Sequence, residues 1–113
     1  MKKIEAIIRP DKLEVLRLHL EKTGYPGMMV TEIEGHGKQG GVMHQWRGLE
    51  YKSTFLPKVK VEIVVPNGAV KKLVEVIIEV CRSGKVGDGK IFILPVSDAI
   101  RIRTKEKGDK AVK

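Results

Sequence analysis

A single cysteine, Cys81, is all the chain contains, so no intrachain disulfide can form, and the usage suits a reducing cytoplasm. Aromatic residues make up only 4%, and no block of Lys and Arg stands beside stacking side chains. That pattern counts against an RNA-binding sheet, and with it against nucleic acid as a partner. Long apolar runs are missing as well. The opening Met1-Lys2-Lys3-Ile4-Glu5 passes straight into an alternating pattern, which predicts neither a signal peptide nor insertion into a membrane. Acidic residues are outnumbered, 14 Asp and Glu against 22 Lys and Arg, for a net charge of +8. Such an excess suits nucleic acid, an anionic membrane surface or small phosphorylated ligands, and the lack of stacking residues disfavours the first. No Ser/His/Asp or Cys/His nucleophile set can be assembled, and Cys81 falls on an apolar helix face, where a small buried hydrophobe is the default. His36 and His44 have no Cys or carboxylate cluster at ligand spacing, so solvated loop histidines are the ordinary reading.

What is present is one domain's worth of chain: 113 residues, 42% hydrophobic, enough for a single core spanning residues 1–113. Residues 3–9, KIEAIIR, alternate with Ile4, Ala6 and Ile8 on one face and read as a strand ended by Pro10-Asp11. From Lys12 to Lys22, Leu13, Leu16 and Leu20 recur at helical spacing before Gly24. Residues 28–34 alternate again, with Met29, Thr31 and Ile33 on one face. After a glycine-rich stretch from Gly35 to Pro57 comes the clearest strand, residues 58–65. It sets Val59, Val61, Ile63 and Val65 against Lys58, Lys60, Glu62 and Val64. Pro66-Asn67-Gly68 turns the chain into a second amphipathic helix carrying Val70, Leu73, Ile77 and Cys81, closed by Gly84. Residues 90–94 and 99–104 read as two last extended runs. The order is that of an α+β, ferredoxin-like βαββαβ sandwich with a long loop between its second and third strands. Two helices would cover one face of a four-stranded antiparallel sheet. The other face, with Val64 on it, has nothing in this chain to cover it, which makes association through it a consequence of the fold.

Residues 83–91, SGKVGDGKI, contain all of a phosphate-binding G-x-x-x-x-G-K motif except its final hydroxyl residue, Ile91 standing there instead. They also follow a helix and precede a strand, the reverse of what that motif requires. By spacing alone, a tight α-to-β turn, with Gly84 capping the helix and Gly87 and Gly89 allowing the turn, is favoured over a ligand site. Arg101 and Arg103 lie two apart on the predicted last strand, on one side of it. With Lys90 and the amides of Gly87 and Gly89 they would make a polyphosphate site, or else a solvated strand balanced by Glu62 or Glu106. The loop from Gly35 to Pro57 is long for a compact domain and carries Trp46 and Tyr51, which favours contact with a partner; the alternative has Trp46 folding back onto its own domain. Lys105, Lys107, Lys110 and Lys113 read as a solvated tail.

Taken end to end, MKKIEAIIRP, GMMVTEIEGHGKQ, RGLEY, FLPKVKVEIVV, GKVGDGKIF and IRIRT stand in the order and spacing of the PII nitrogen-regulatory signalling proteins, which the chain resembles over its full length. The resemblance implies a cytoplasmic homotrimer, without catalytic activity, with ATP or ADP in the clefts between subunits. Nucleotide would meet Met29, Gly35, Gly37, Lys38, Val64, Gly87, Asp88, Gly89, Lys90, Arg101 and Arg103. It further implies 2-oxoglutarate, bound with Mg²⁺-ATP by Gly37, Lys38, Gln39, Gly40, Gly41 and Lys58, with the Gln39 amide oxygen as the ligand to magnesium. Residues of about 37–55 would be the flexible T-loop that controls targets, and residues of about 105–113 a C-terminal tail. Candidate targets are an ammonium transporter, which would recruit the protein to the membrane, and glutamine synthetase or its regulatory enzymes. Tyr51 would be the modification site used by lineages that uridylylate this loop. Lys38, Gly40 and Met29 depart from the residues usual in the family, Arg, Lys and Thr. Lys38 keeps the charge but loses the paired geometry of Arg. Two other readings stand beside this one: a cation-binding ferredoxin-like trimer of the CutA type, disfavoured by the lack of a ligand cluster, and a slow ATPase, for which no general base is evident.

Overall fold

The computed structural model describes residues 1–36, 42–46, 48–53 and 55–113, with the backbone alone for 42–46 and 49–53. Strand β1 runs Lys2–Ile8 and ends at Pro10, which opens a single 3-10 turn leading into helix α1, Leu13–Glu21. The helix buries Leu16 and Leu20, four residues apart, and stops where Thr23 Oγ donates to Leu20 O and Gly24 takes φ +86. Strand β2, Met29–His36, leads to a hairpin of β3, Val42–Trp46, and β4, Leu49–Ser53, and then to the eleven-residue β5, Phe55–Val65. Helix α2, Val70–Cys81, points Leu73, Ile77 and Cys81 inward at four-residue intervals. The edge strand β6, Lys90–Pro95, follows.

The main sheet has the order β2-β5-β1-β6, with every neighbouring pair antiparallel. Ile4, Ala6 and Ile8 pair with Ile63, Val61 and Val59 on the face the helices cover. With Leu16, Leu20, Val65, Leu73, Ile77 and Cys81 they form one core. Each large side chain buried there contributes about 1.5–3 kcal/mol. On the opposite face the rows are Met29, Glu62, Glu5 and Phe92, then Val64, Lys3 and Leu94. Lys3 sits between Glu62 at 3.0 Å and Glu5 at 3.6 Å. Met29 and Phe92 at the margins of this face are about half exposed. This is the α+β ferredoxin-like arrangement, with both helices on one side and a bare sheet on the other. Among the described residues no helix is long and apolar enough to cross a membrane.

The strand expected over 99–104 is not formed. Ile100 makes a single bridge to Lys107, and the segment between them closes as a turn, Lys105 N donating to Arg101 O and Arg101 N to Glu106 O. Its Ile/Arg alternation imitates a strand, but Ile102 is 96% exposed, so no packing enforces the pattern. The glycine-rich segment, expected to lack regular structure, holds the β3–β4 hairpin, with Gly48 at φ +79 between the two strands.

Candidate functional site

The end of the sheet where β1 finishes and β6 begins brings together residues far apart in sequence. The chain leaves α2, passes through Gly84 and Gly87, both at positive φ, and enters β6 at Gly89, φ +94. A Cβ on Gly89 would lie 1.7 Å from Ile7 O, so the strand meets β1 more closely than any side chain allows. Asp88, between the two glycines, turns its carboxylate back on the loop. It accepts from the amides of Ser83 at 2.8 Å and Gly84 at 2.9 Å, from the Ser83 hydroxyl, and from Arg9 Nε at 3.4 Å. These donors, the Ser83 hydroxyl foremost, hold its carboxyl well below the usual carboxylate range.

Two cations brace the same loop. Arg9 Nη2 donates to Val86 O at 2.8 Å, and Lys58 Nζ donates to Gly87 O at 2.7 Å. Lys58 is buried, and its pKa is lowered, first by burial and then by neighbouring Arg9, with Asp88 opposing both. Among the described residues all peptide bonds are trans, and in a trans peptide the N–H lies opposite the C=O. Pinning the carbonyls of Val86 and Gly87 against the two cations therefore turns the amides of Gly87 and Asp88 to the other side. Lys90 follows them, exposed, on the bare face of the sheet beside Ile7. Outward amides, an exposed lysine, two cations behind and a carboxylate already satisfied make a surface chemically suited to an anion. A cavity of about 440 Å³ adjoins it, bounded by Asp88, Gly89 and Lys90 and walled by Val74, Ile77, Ile78, Ile91 and Ile93.

The other expected residues distribute along the sheet. Gly35 lies near the same end, paired with Leu56, while Met29 pairs with Glu62, and Val64 with Lys3 toward the far end. Arg101 and Arg103 come after Pro95, which closes β6 at the end that pairs with Lys2; that end of the strand is roughly 16–20 Å from the glycine loop at about 3.3 Å per residue. Neither forms a hydrogen bond or ion pair with the loop. Arg101 is committed to its own segment: Nη1 donates to Glu106 Oε1 at 2.9 Å, and Nη2 to Lys110 O and Lys113 O. Arg103 is exposed.

Gly37, Lys38, Gln39, Gly40 and Gly41 lie outside the described residues, so the magnesium ligand Gln39 and most of the expected 2-oxoglutarate contacts do too. Of that group only Lys58 is placed, and it is placed on the glycine loop. Tyr51 falls on β4, paired with His44, and its side chain is outside the description. Among the described residues no three His, Cys, Asp or Glu side chains gather as a metal site. Cys81 is buried as expected, which pushes its thiol up to about 11. Sequence reasoning missed Arg9 and Ser83. Arg9 is 79 residues from Asp88, and the only signal was its place at the end of a strand beside Pro10.

A family model described as Nitrogen regulatory protein P-II matches residues 1–106. Nitrogen regulatory protein P-II 1 of Escherichia coli K12 is 52% identical over 112 residues, 99% of this chain and 100% of that protein. Nitrogen regulatory protein P-II of Haemophilus influenzae Rd is 51% identical, and that of Nostoc punctiforme 52%, each over the same shares of the two chains. With the glycine loop, the ferredoxin-like sheet and a match across almost the whole length, the chain belongs to the P-II nitrogen regulatory protein family, and its role is nitrogen-regulatory signalling.

Proposed function

We propose that the chain signals by binding ATP or ADP at the Gly87–Lys90 loop, and 2-oxoglutarate beside it, and that the bound state sets the arm between β2 and β5 for contact with target proteins. The observation that carries this reading is the loop's geometry: carbonyls pinned inward by Arg9 and Lys58, amides turned outward, and Gly89 too close to Ile7 O for any side chain. Polyphosphate is the anion that such a loop and an adjacent lysine accommodate best. Arg101 and Arg103 would supply the remaining cations. Because they follow the end of β6 opposite the glycine loop and make no contact with that loop among the described residues, we take them to reach the phosphates of a neighbouring subunit's nucleotide, which favours the homotrimer. The bare face with Met29, Phe92 and Leu94 supports the same conclusion. The reading is a sensor rather than an enzyme, in line with the naming of its relatives as regulatory proteins.

For the effector, Lys58 would pair with a carboxylate, and Arg9, already at the loop, adds a second cation. Magnesium would supply positive charge against the anionic oxygens gathered there. Gln39 would offer it an amide oxygen, the hard ligand it prefers. Targets such as an ammonium transporter, or glutamine synthetase and its regulatory enzymes, would read the arm, and Tyr51 would be the residue on it open to nucleotidylation. The cytoplasm would be its compartment, with recruitment to the membrane when a transporter is the target.

Calorimetry tests the reading. 2-oxoglutarate should bind tightly with Mg²⁺-ATP and weakly with ADP, and ATP should be tightened in turn, since coupling between two ligands is reciprocal. Equal effector affinity with both nucleotides would reject a shared metal.

A further inference from the structure

We infer that Ser83 and Asp88 form a clasp that holds the Gly87–Lys90 loop in its anion-receiving shape, which makes Ser83 a positioning residue for the ligand; the assignment of that ligand rests on the nucleotide reading above. Ser83 stands one residue beyond the cap of α2. Its hydroxyl donates to Asp88 Oδ1 while accepting from the Lys85 amide at 3.2 Å, and its own amide donates to Asp88 Oδ2, as does that of Gly84. The six residues 83–88 are thereby closed into a ring from the inside. Arg9 Nε meets the same carboxylate from β1 and reaches Val86 O with its other nitrogen, so the ring is fixed to the sheet.

Two consequences follow for an incoming anion. The first is electrostatic. Asp88 lies between the glycines whose backbone would face phosphate, and a carboxylate free to rotate there would repel it. Held by three donors from residues 83 and 84, and by Arg9, it is turned inward and its charge is compensated. The second is conformational. Gly87 and Gly89 take φ +103 and +94, but glycine visits both signs of φ about equally and loses much freedom when fixed. The clasp removes that freedom before the ligand arrives, which is preorganisation in the ordinary sense. Ser83 needs no contact with the ligand to do this; it acts through Asp88.

The test uses the full-length protein, ATP titrations and amide hydrogen exchange. Ser83→Ala should weaken ATP binding by roughly tenfold, the scale of one lost charge-assisted hydrogen bond. Ser83→Thr, which keeps the hydroxyl, should restore affinity. Asp88→Asn should also weaken binding, and the Ser83→Ala/Asp88→Asn double variant should be no weaker than the worse single, because the Ser83 hydroxyl acts through the Asp88 carboxylate. The melting temperatures of the two Ser83 single variants should stay within about 2 °C of the parent, since the loop carries no core residue. In the ligand-free protein, amides of residues 85–90 should exchange faster in Ser83→Ala. Unchanged exchange there overturns the clasp whatever ATP does. Faster exchange with unchanged ATP affinity overturns the positioning role. If the parent binds no ATP while Ser83→Ala still loosens the loop, the clasp stands and the nucleotide reading is what fails.

Discussion

Gly89 is held by two independent constraints, and they can be separated by substitution. Its φ of +94 disfavours any L side chain, and a Cβ would meet Ile7 O at 1.7 Å. Gly84 shares the first constraint, φ +85, but has nothing within 4 Å of a Cβ. Gly84→Ala should therefore cost only the backbone strain, about 1–3 kcal/mol. Gly89→Ala should cost more, because β6 must also move away from β1, and chemical denaturation of the two variants compares them directly. Asp88 provides a pH signature. Its folded-state carboxyl binds a proton less readily than in the unfolded chain, so on acidification the unfolded state takes up that proton first. The contribution of the clasp is fully present above the ordinary carboxylate pKa of about 4 and fades as pH falls below it. Melting curves of parent and Asp88→Asn should differ at pH 6 and converge in acid.

Among elements, the C-terminal segment stands apart from the sandwich. It is closed by Ile100–Lys107, Gly108 N to Ala99 O, and the arginine fork that joins Glu106 to the last turn. None of these groups belongs to the core. Glu106→Gln breaks a pair whose side chains are about a third exposed, worth 0.2–1 kcal/mol at most after solvent screening. Global melting should hardly shift, while the amides of Lys105 and Gly108 exchange faster, as local opening allows. The contrast explains what sequence reading could reach. β1, β5, α1 and α2 were legible because each presents a strict apolar period to one core. The 99–104 segment misled because alternation there has no packing behind it, and the β3–β4 hairpin was hidden among glycines that suggested irregular chain. Within the site, GDGK was visible as a motif with two readings. Its supports were not: Arg9 and Lys58 reach the loop through topology, which spacing along the chain does not encode, and nothing in the local pattern marks the Ser83 hydroxyl as a donor to Asp88.

At the scale of the whole molecule, a ferredoxin-like sheet with one bare face is half of a packing arrangement. Lys3, Glu5, Lys60 and Glu62 form an ion cluster on that face, flanked by Met29, Phe92 and Leu94. Closing it against other copies would bury apolar margin and compensated charge together, which suits a closed ring of identical subunits. Sedimentation should return about three times the 12.6 kDa chain mass.

That the arginine pair makes no contact with the glycine loop of its own chain among the described residues turns that assembly into a genetic prediction. Suppose each site takes its loop from one subunit and its arginines from the next. Lys90→Ala and Arg101→Ala chains should then each bind ATP poorly as pure trimers, yet complement one another when mixed. After equal mixing through denaturation and refolding, about one junction in four pairs an intact loop with an intact arginine. Titration of the mixture should recover a tight class of sites at about that fraction. A chain that kept both halves of the site to itself would recover none, so co-expression of two defective alleles reports on whether the sensor exists within a subunit or only between subunits.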